Sequence, residues 1–297
     1  MIFTEEIKKC RHGLEKSDFT FLEPYSKWTY QDNDDWLKRT YPEEKTRDAL
    51  RLIFVIKQYH KAEELYHRRG WPISILEKTA EDISIWNRHH CKNFGFPGLQ
   101  SRFKNWILEI YKGNVIRLGR LECNTNYHIE CPILPSSETP AKLYQKKSLD
   151  SKRAVLVPGD AVINIHIPED GPMTLSSCID SFQRMEHFFQ KYLPEYDYRG
   201  FYCSSWLLDP VLQTILPPTS NIIQFQKLGS IDSVSGESEL LFRVFGNKGI
   251  PNKLPPNATS MQNAVFSYVS DGGIFHNGIM IILKKDFPAL YSWTTQK

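Results

Sequence analysis

The residues best suited to proton transfer lie in the alternating segment AVINIHI at positions 161–167. Because successive side chains of a strand point to opposite faces, Asn164 and His166 share one face and three isoleucines share the other. A neutral imidazole at the C-terminal end of a strand that feeds a helix can deprotonate an attacking amine, since its ordinary pKa lies near working pH. A histidine that is hydrogen-bonded for structural reasons explains the pattern equally well.

A second candidate base is Glu122, in the segment VIRLGRLEC at 115–123. Alternation and the flanking Gly and Asn residues predict one strand here, with Glu122 and Arg120 on the same face. A carboxylate can relay a proton from an ammonium group to bulk water, which amine acylation requires. The alternative is a surface ion pair between Arg120 and Glu122 that has no catalytic role.

Hydroxyl groups that can protonate a departing thiolate occur in the segment 198–205, which is also predicted to be a strand. Tyr202 and Ser204 share one face of this strand, and Cys203 lies on the other. Cys203 is a weaker candidate for covalent catalysis, because a buried thiol in a reduced protein mostly behaves as a small hydrophobic side chain.

Other side chains near these strands can orient a substrate, since amides form directional hydrogen bonds. The residues assigned to substrate binding are Arg120, Trp206, Asn221 and Gln224. Structural alternatives remain open for them. Trp206 can belong to a turn that leads into the next helix, and the two amides can close a turn or cover an exposed face.

The elements that must position these residues change in character near residue 113. Before it, apolar residues recur at helical spacing, and Gly and Pro residues at 70–72 and 95–98 divide the region into three amphipathic helices. After it, the pattern predicts a βαβαβ order. Strands are predicted over 161–167, 198–205, 221–227, 241–245 and 274–283, and helices over 174–192, 209–216 and 259–269.

The two strands that carry most of the candidate residues are predicted to be parallel. They should be joined by a right-handed crossover through the helix that begins near Thr174. His166 and Asn164 are then expected to open onto a cavity instead of packing beneath that helix. The irregular residues 124–153 are predicted to form a long excursion or hairpin.

Composition argues against several classes of protein. The 297 residues carry 37 Lys and Arg against 34 Asp and Glu and contain no dense basic block, so no nucleic-acid partner is expected. The N-terminus is polar and no apolar run of about twenty residues occurs, so we expect a cytoplasmic protein without a membrane segment. Six scattered cysteines without a C-x-x-C pair favour reduced thiols and no metal site.

Four stretches carry a family resemblance: VINIHIPEDGPMT at 162–174, FYCSSWLLDPVL at 201–212, SNIIQFQ at 220–226 and TSMQNAV at 259–265. They resemble the bacterial acyltransferase-domain proteins that join a helical N-acyltransferase N-terminal domain to a GNAT-like C-terminal domain. The resemblance implies an α/β (α+β) fold, with a helical domain over 1–112 and a GNAT-like mixed β-sheet domain flanked by helices over 113–297. It also implies a transferase that uses an acyl thioester, with its substrate left open.

The sequence departs from classical GNAT enzymes at the loop that wraps the pyrophosphate of coenzyme A. Their Q/R-x-x-G-x-G/A motif is absent, and PEDGP at 168–172 occupies its place, with two carboxylates that repel phosphate and prolines that lack an N–H. The helix start that follows still attracts phosphate. The residues assigned to cofactor binding are Asn164, Ile167, Gly171, Thr174, Leu175, Ser176 and Ser177.

The donor is therefore left open between acyl-CoA and the thioester of an acyl carrier protein. Coenzyme A is expected to bind weakly and in a salt-sensitive manner, and to bind more tightly when Glu169 and Asp170 are both neutralised. The function predicted first is direct N-acyl transfer with His166 or Glu122 as the base. The alternative is a non-catalytic binding or assembly module that keeps the fold as a scaffold.

Overall fold

The computed structural model describes residues 32–133, 156–234, 238–246 and 249–292. By its internal contacts the chain divides into two compact units, which we name the helical unit (residues 1–117 and 168–170) and the sheet unit (residues 118–167 and 171–297). The domain boundary predicted between residues 112 and 113 stays a prediction.

The helical unit buries one apolar stripe of each amphipathic helix, including Tyr66, Leu76 and Ile83. Its helices are α1 (Asp32–Thr40), α2 (Glu44–Arg69), α3 (Ile73–Thr79), α4 (Asp82–Phe94) and α5 (Ser101–Tyr111). The longest, α2, ends at Gly70, whose left-handed φ of 65° lets the chain leave the helix without strain. The helical character predicted for this region is confirmed.

The segment after Pro72 differs from the single helix that its periodicity predicts. It forms α3 and α4 instead, separated by a turn at Ala80 and Glu81. The N–H of Ala80 donates to the carbonyl of Leu76 at 2.8 Å and closes α3, while the carbonyl of Glu81 accepts from Ser84 at 2.9 Å and opens α4. Both helices keep the same apolar stripe, so the periodicity survives the break.

A buried charged cluster links α2 and α4 inside the helical unit. Asp48 accepts a hydrogen bond from Nε2 of His90 at 2.9 Å and another from the guanidinium of Arg51. Nδ1 of His90 lies 2.9 Å from the carbonyl oxygen of Phe96. The three side chains are only 1% to 5% exposed. Because the Asp48 carboxylate compensates the charge of Arg51 in a dry interior, the loss of Asp48 leaves that guanidinium without compensation.

The sheet unit contains a mixed sheet with flanking helices, apart from residues 115–117 of the first strand, which belong to the helical unit. Its strands are β1 (Val115–Leu118), β2 (Leu121–Asn124), β3 (Ile163–His166), β4 (Gly200–Ser205), β5 (Ser230–Val234) and β6 (Asn277–Leu283). Among the described residues these strands follow the order β1-β2-β3-β4-β6-β5. As predicted, β3 and β4 are parallel, whereas β2 with β3, β4 with β6, and β5 with β6 are antiparallel. The predicted fold class is confirmed.

Three of the helices of the sheet unit begin at side-chain caps. The helices of this unit are α6 (Leu175–Tyr192), α7 (Leu212–Ile215), α8 (Asn221–Gln226), α9 (Leu240–Phe245), α10 (Ser260–Ser270) and α11 (Phe287–Ser292). The side chain of Thr174 caps α6 by accepting from the N–H of Ser177, at the helix start that the sequence predicts near Thr174. Thr259 and Gln262 form a reciprocal capping box at the start of α10.

The face on which α6 packs is fixed by aromatic contacts. The ring of Phe182 on α6 lies 4.6 Å from that of Phe201 on β4, and Phe201 is paired with Ile163 of β3. The helix therefore covers the face that carries Ile163 and Phe201. Asn164 and Tyr202, which are paired with each other one residue further on, lie on the opposite face.

The segment 115–123 is not the single strand that its alternation predicts. It forms the hairpin β1–β2, which turns at Gly119 and Arg120. Gly119 has a φ of 81°, and a Cβ there would lie 2.8 Å from Oγ of Ser181. That hydroxyl accepts from the N–H groups of Arg120 at 2.8 Å and Leu121 at 3.2 Å. Arg120 is consequently a turn residue, and its predicted place on one strand face with Glu122 is wrong.

Two further predicted strands are wrong, because residues 221–227 and 241–245 form the helices α8 and α9. Both segments are short apolar runs, for which periodicity alone does not distinguish a strand from a helix. Ser220 determines the outcome for α8, since its side chain accepts from the N–H of Ile223. The strand β5, with the sequence SIDSV, was not anticipated.

The excursion predicted over 124–153 lies mainly outside the described residues. On either side of residues 134–155, single bridges join His128 to Ala161 and Ile133 to Leu156 in antiparallel fashion. None of the helices within the described ranges has the length and apolar character needed to cross a membrane.

Candidate active site

The strand register brings five of the sequence-predicted polar residues onto one face of the sheet. Glu122 of β2 is paired with His166 of β3. Asn164 of β3 is paired with Tyr202 of β4, and Ser204 follows on the same face. Directly paired residues have their Cβ atoms only about 5 Å apart. A base, a carboxylate, an amide and two hydroxyls are therefore grouped on the face that α6 leaves uncovered.

The parallel strands stop pairing close to these residues. The last pair between β3 and β4 is Ile165 with Cys203, whereas β4 stays paired with β6 as far as Ser205 and Gly278. The peptide groups beyond Ile165 are thus outside the β3–β4 ladder. In open α/β sheets, ligands commonly bind at the carboxyl ends of strands, where neighbouring strands separate.

His166 is a neutral base in this environment. Its Nε2 lies 2.7 Å from Oδ1 of Asn124, and Nδ2 of Asn164 donates to the same oxygen at 2.8 Å. Burial lowers the pKa of His166 from 6.5 to about 4, because desolvation disfavours the charged imidazolium. The ring is therefore deprotonated at neutral pH, as a general base must be before it accepts a proton.

Glu122 is a deeply buried carboxylate, with 1% of its surface exposed. Besides burial, its negative charge raises the pKa of the neighbouring Cys123 thiol well above its ordinary value. It does not reach bulk water directly, so its location beside His166 suits an electrostatic role toward an imidazolium ion better than a direct relay to solvent.

The hydroxyl and thiol groups of β4 differ in environment. The ring of Tyr202 stacks on that of Tyr127, with centroids 5.9 Å apart, and Ser204 is exposed. Cys203 lies on the opposite, covered face, and burial raises the pKa of its thiol to about 12. A thiol with that pKa is protonated at neutral pH and is a poor nucleophile.

The start of α6 has the donors expected of an anion site, although some are already used. Oγ of Thr174 accepts from the N–H of Ser177 at 3.3 Å and donates to the hydroxyl of Ser177 at 2.8 Å. Leu175 and Ser176 occupy the first helical turn, where N–H groups have no partner within the helix. Thr174 and Ser176 are exposed, so the turn is accessible to a ligand.

Two arginines, Arg120 and Arg117, bind the loop before α6. Arg120 donates from Nε to the carbonyl of Pro172 and from Nη2 to that of Gly171, each at 3.2 Å. Gly171 has a φ of 73°, a conformation that favours glycine, and Ile167 before the loop is half-buried. Arg120 thus shapes the loop and places a positive charge beside the start of α6.

Asp170 is an ion-pair partner within the helical unit. Nη2 of Arg117, a side chain that is 4% exposed, donates to both carboxylate oxygens of Asp170 at 2.9 and 3.0 Å. This pairing changes the electrostatic expectation for the loop, since the charge of Asp170 is already balanced. Glu169 is exposed.

Three residues assigned to substrate binding lie away from the polar sheet face. Trp206 packs against the apolar cluster that includes Leu212 and Ile223. Asn221 begins α8, and Gln224 donates to the carbonyl of Pro218 at 2.7 Å. These contacts correspond to the structural alternatives of turn and core. Substrate contact by these side chains stays a prediction.

Asn124 and Tyr127 are the residues of this face that sequence reasoning missed. Asn124 ends β2 two positions after Glu122, so period-two alternation places both on one face once the hairpin turn at Gly119 is recognised. The single-strand interpretation hid this signal, because it ended the strand at Cys123. Within the described part of the chain, no three His, Cys, Asp or Glu side chains are grouped so as to hold a metal ion.

Solved structures with the same fold are acyltransferases. One, an acyltransferase mutant in complex with octanoyl-CoA, is 22% identical with a TM-score of 0.60 over 78% of this chain and 64% of that chain. A second, in complex with CoA and 10C-Teicoplanin, is 21% identical with a TM-score of 0.57 over 77% and 64%. A third, in complex with decanoyl-CoA, is 23% identical with a TM-score of 0.55 over 75% and 61%. The chain thus spans less than two thirds of each of them.

The family itself follows from the sequence match. Residues 115–281, more than half of the chain, match the family described as the GNAT-like C-terminal domain. The chain belongs to this family, which confirms the resemblance inferred from the four stretches of sequence. No curated protein sequence matches the chain.

Proposed function

We propose that this protein is an N-acyltransferase in which an amine attacks the thioester of a bound acyl donor directly. The observation that carries the proposal is the grouping of Glu122, His166, Asn164 and Tyr202 on one sheet face, where β3 and β4 stop pairing. Membership of the GNAT-like family supports the same chemistry. The C–N bond forms as the C–S bond of the thioester breaks.

In the proposed mechanism His166 accepts the proton that the amine loses on attack. A base must be unprotonated when the amine arrives, and the lowered pKa of His166, about 4, meets that condition. The charge of Glu122 opposite the ring then stabilises the imidazolium.

The leaving thiolate takes a proton from Tyr202 or from Ser204. Both lie on β4 beside the point of strand separation, and Ser204 is exposed to solvent that can return the proton. Backbone N–H groups beyond the last β3–β4 pair polarise the thioester carbonyl. The protonated state of the Cys203 thiol favours direct attack over a covalent acyl-enzyme.

The donor in this proposal is acyl-CoA, and its phosphates lie against the first turn of α6. Exposed Thr174 and Ser176, the N–H groups of that turn and the nearby guanidinium of Arg120 supply the donors and the positive charge. Structures of the same fold in complex with octanoyl-CoA, decanoyl-CoA or CoA support this choice over a carrier-protein thioester.

The acceptor in this proposal is an amine on a small molecule. The acyltransferase of the same fold that is in complex with CoA and 10C-Teicoplanin supports a small-molecule acceptor over a protein or nucleic acid. The cytoplasmic location expected from the sequence stays a prediction.

The proposal is tested by mixing the protein with a panel of acyl-CoA thioesters of increasing chain length and a panel of amines, and measuring the release of free thiol. Transfer predicts amine-dependent thiol release and an acylated amine that mass spectrometry detects. Octanoyl carrier protein serves as the alternative donor. If the folded protein releases no thiol with any donor and acceptor, the result would favour the non-catalytic module instead.

A further inference from the structure

Asn124 contacts the candidate base directly. It ends β2 and faces the same side of the sheet as Asn164 and His166. Its Oδ1 atom lies 2.7 Å from Nε2 of His166 and 2.8 Å from Nδ2 of Asn164. One amide oxygen thus serves both side chains of β3.

The chemistry of these contacts assigns the proton on His166. An amide oxygen has lone pairs and no hydrogen, so each group that bonds to it must be a donor. The amide nitrogen of Asn164 is such a donor, and Nε2 of His166, 2.7 Å from the oxygen and 3.5 Å from Nδ2 of Asn164, bonds to the oxygen as a donor in the Nε2-protonated tautomer. A neutral imidazole has one N–H only, which leaves its lone pair on Nδ1.

We propose that Asn124 is a positioning residue that holds His166 in the Nε2-protonated tautomer, so that Nδ1 is the nitrogen that takes the proton during acyl transfer. This inference rests on the proposed function, and it names the reacting atom. Without Asn124, both tautomers of the neutral ring are populated, and the fraction with its lone pair on Nε2 directs its basic nitrogen away from the substrate.

The proton balance is consistent with this assignment. As the amine nitrogen bonds to the thioester carbon, its proton moves to Nδ1, and the resulting imidazolium keeps its Nε2–H bond to Asn124. The thiolate leaves with the C–S electron pair and takes a proton from Tyr202 or Ser204, and that hydroxyl regains a proton from solvent. Nδ1 returns its proton to solvent, and the products are an amide and a free thiol. The titratable groups that face His166 here include Glu122 from β2, Tyr202 from β4 and Tyr127, whose ring stacks on that of Tyr202.

The direct test is nitrogen NMR of the histidine rings in uniformly ¹⁵N-labelled protein at neutral pH. The His166 signals are assigned as those lost in His166→Gln. Wild type is expected to show the Nε2–H pattern for His166, and Asn124→Ala a mixture of tautomers. A wild-type ring protonated on Nδ1, or an Asn124→Ala spectrum with the wild-type tautomer, would overturn the inference. If Asn124→Ala does not fold, the wild-type spectrum alone still tests whether His166 is protonated on Nε2.

Kinetics supply a second readout. Asn124→Ala is expected to lower kcat about tenfold with little change in KM for the donor, because the base is misplaced while binding is intact. Asn124→Asp keeps an acceptor oxygen and should restore turnover relative to Asn124→Ala. Its added negative charge favours the imidazolium, so the acid limb of kcat should move to higher pH. Wild-type turnover in folded Asn124→Ala contradicts the inference.

Failure of this inference is distinguishable from failure of the proposed function. The NMR measurement needs no activity, so an Nε2–H tautomer in a protein that transfers no acyl group would remove the proposed function and leave Asn124 as a structural anchor. If acyl transfer depends on His166 but not on Asn124, the proposed function stands and the positioning role of Asn124 is wrong.

Discussion

The protonation of His166 affects the stability of the fold, because the folded protein disfavours the charged imidazolium. Its pKa falls from 6.5 to about 4 on burial. Between these two values the unfolded chain binds more protons than the folded one, so the free energy of unfolding rises with pH across this window. Above pH 6.5 the ring is neutral in both states and the effect is constant.

We therefore expect wild type to lose more stability than His166→Gln between pH 6.5 and pH 4. The extra loss should be about 1 to 3 kcal/mol, allowing for the partial exposure of the ring. Urea denaturation of both proteins at several pH values measures the difference, and the other histidines cancel in the comparison. Parallel pH dependence of wild type and His166→Gln would show that His166 is not held neutral.

At the scale of single elements, the β1–β2 hairpin determines where Glu122 and Asn124 point. Gly119 combines a left-handed φ of 81° with the close approach of Oγ of Ser181. Gly272, with a φ of 85° and open space where a Cβ would be, is a matched control. Alanine at either position costs about 1 to 2 kcal/mol through the left-handed conformation alone.

Gly119→Ala should accordingly lower the free energy of unfolding by about 1 to 3 kcal/mol more than Gly272→Ala does. The added loss arises because the new methyl group displaces the hydroxyl that accepts from the N–H groups of Arg120 and Leu121. Chemical denaturation measures both variants. Equal losses would mean that the turn has room beside Ser181.

The buried cluster of the helical unit gives another prediction at this scale. Asp48→Ala leaves Arg51 and His90 without their carboxylate in a dry interior, so the free energy of unfolding should fall by about 3 to 5 kcal/mol. Lys78→Ala is the matched control, because it breaks the Lys78–Glu81 pair, in which both side chains are 46% exposed. This change should alter the free energy of unfolding by less than about 1 kcal/mol. Comparable losses in the two variants would argue against a stabilising role for the cluster.

The two carboxylates of the loop before α6 are expected to affect the binding of the donor differently. Glu169→Gln should tighten the binding of octanoyl-CoA by about two- to fivefold at low salt, because it removes an exposed negative charge near the proposed phosphate site. Asp170→Asn should not, since it leaves the buried guanidinium of Arg117 without its carboxylate and so disturbs the loop. Calorimetric titration at two salt concentrations measures both variants. Equal tightening by both would mean that the ion pair with Arg117 does not form in solution.

How far the sequence predicts these elements depends on the length and context of each pattern. The long stripe of α2, the cap at Thr174 and the alternation at 161–167 are local signals, and the structure follows them. Residues 221–227 and 241–245 are too short for a period to separate strand from helix. The hairpin was missed because alternation continues on both sides of its turn, with only Gly119 to mark the break.

At the scale of the whole molecule, the candidate site depends on strand pairing that no single segment specifies. Alternation within β3 predicts that Asn164 and His166 share a face, but not that Glu122 is opposite His166. That pairing, and the hydrogen bonds of Asn124, arise from register between segments about forty residues apart in the chain. The arginine pairing of Asp170 is of the same kind, so it escaped the reasoning from the loop sequence.

The claim at the centre of this account is that acyl transfer uses His166 as its base. The most direct measurement is the rate of thiol release from octanoyl-CoA with an accepted amine, for wild type and His166→Ala, together with calorimetric affinity for the donor. We predict that turnover falls by about a hundredfold or more and that donor affinity is unchanged. A folded His166→Ala protein that releases thiol at the wild-type rate would contradict the claim.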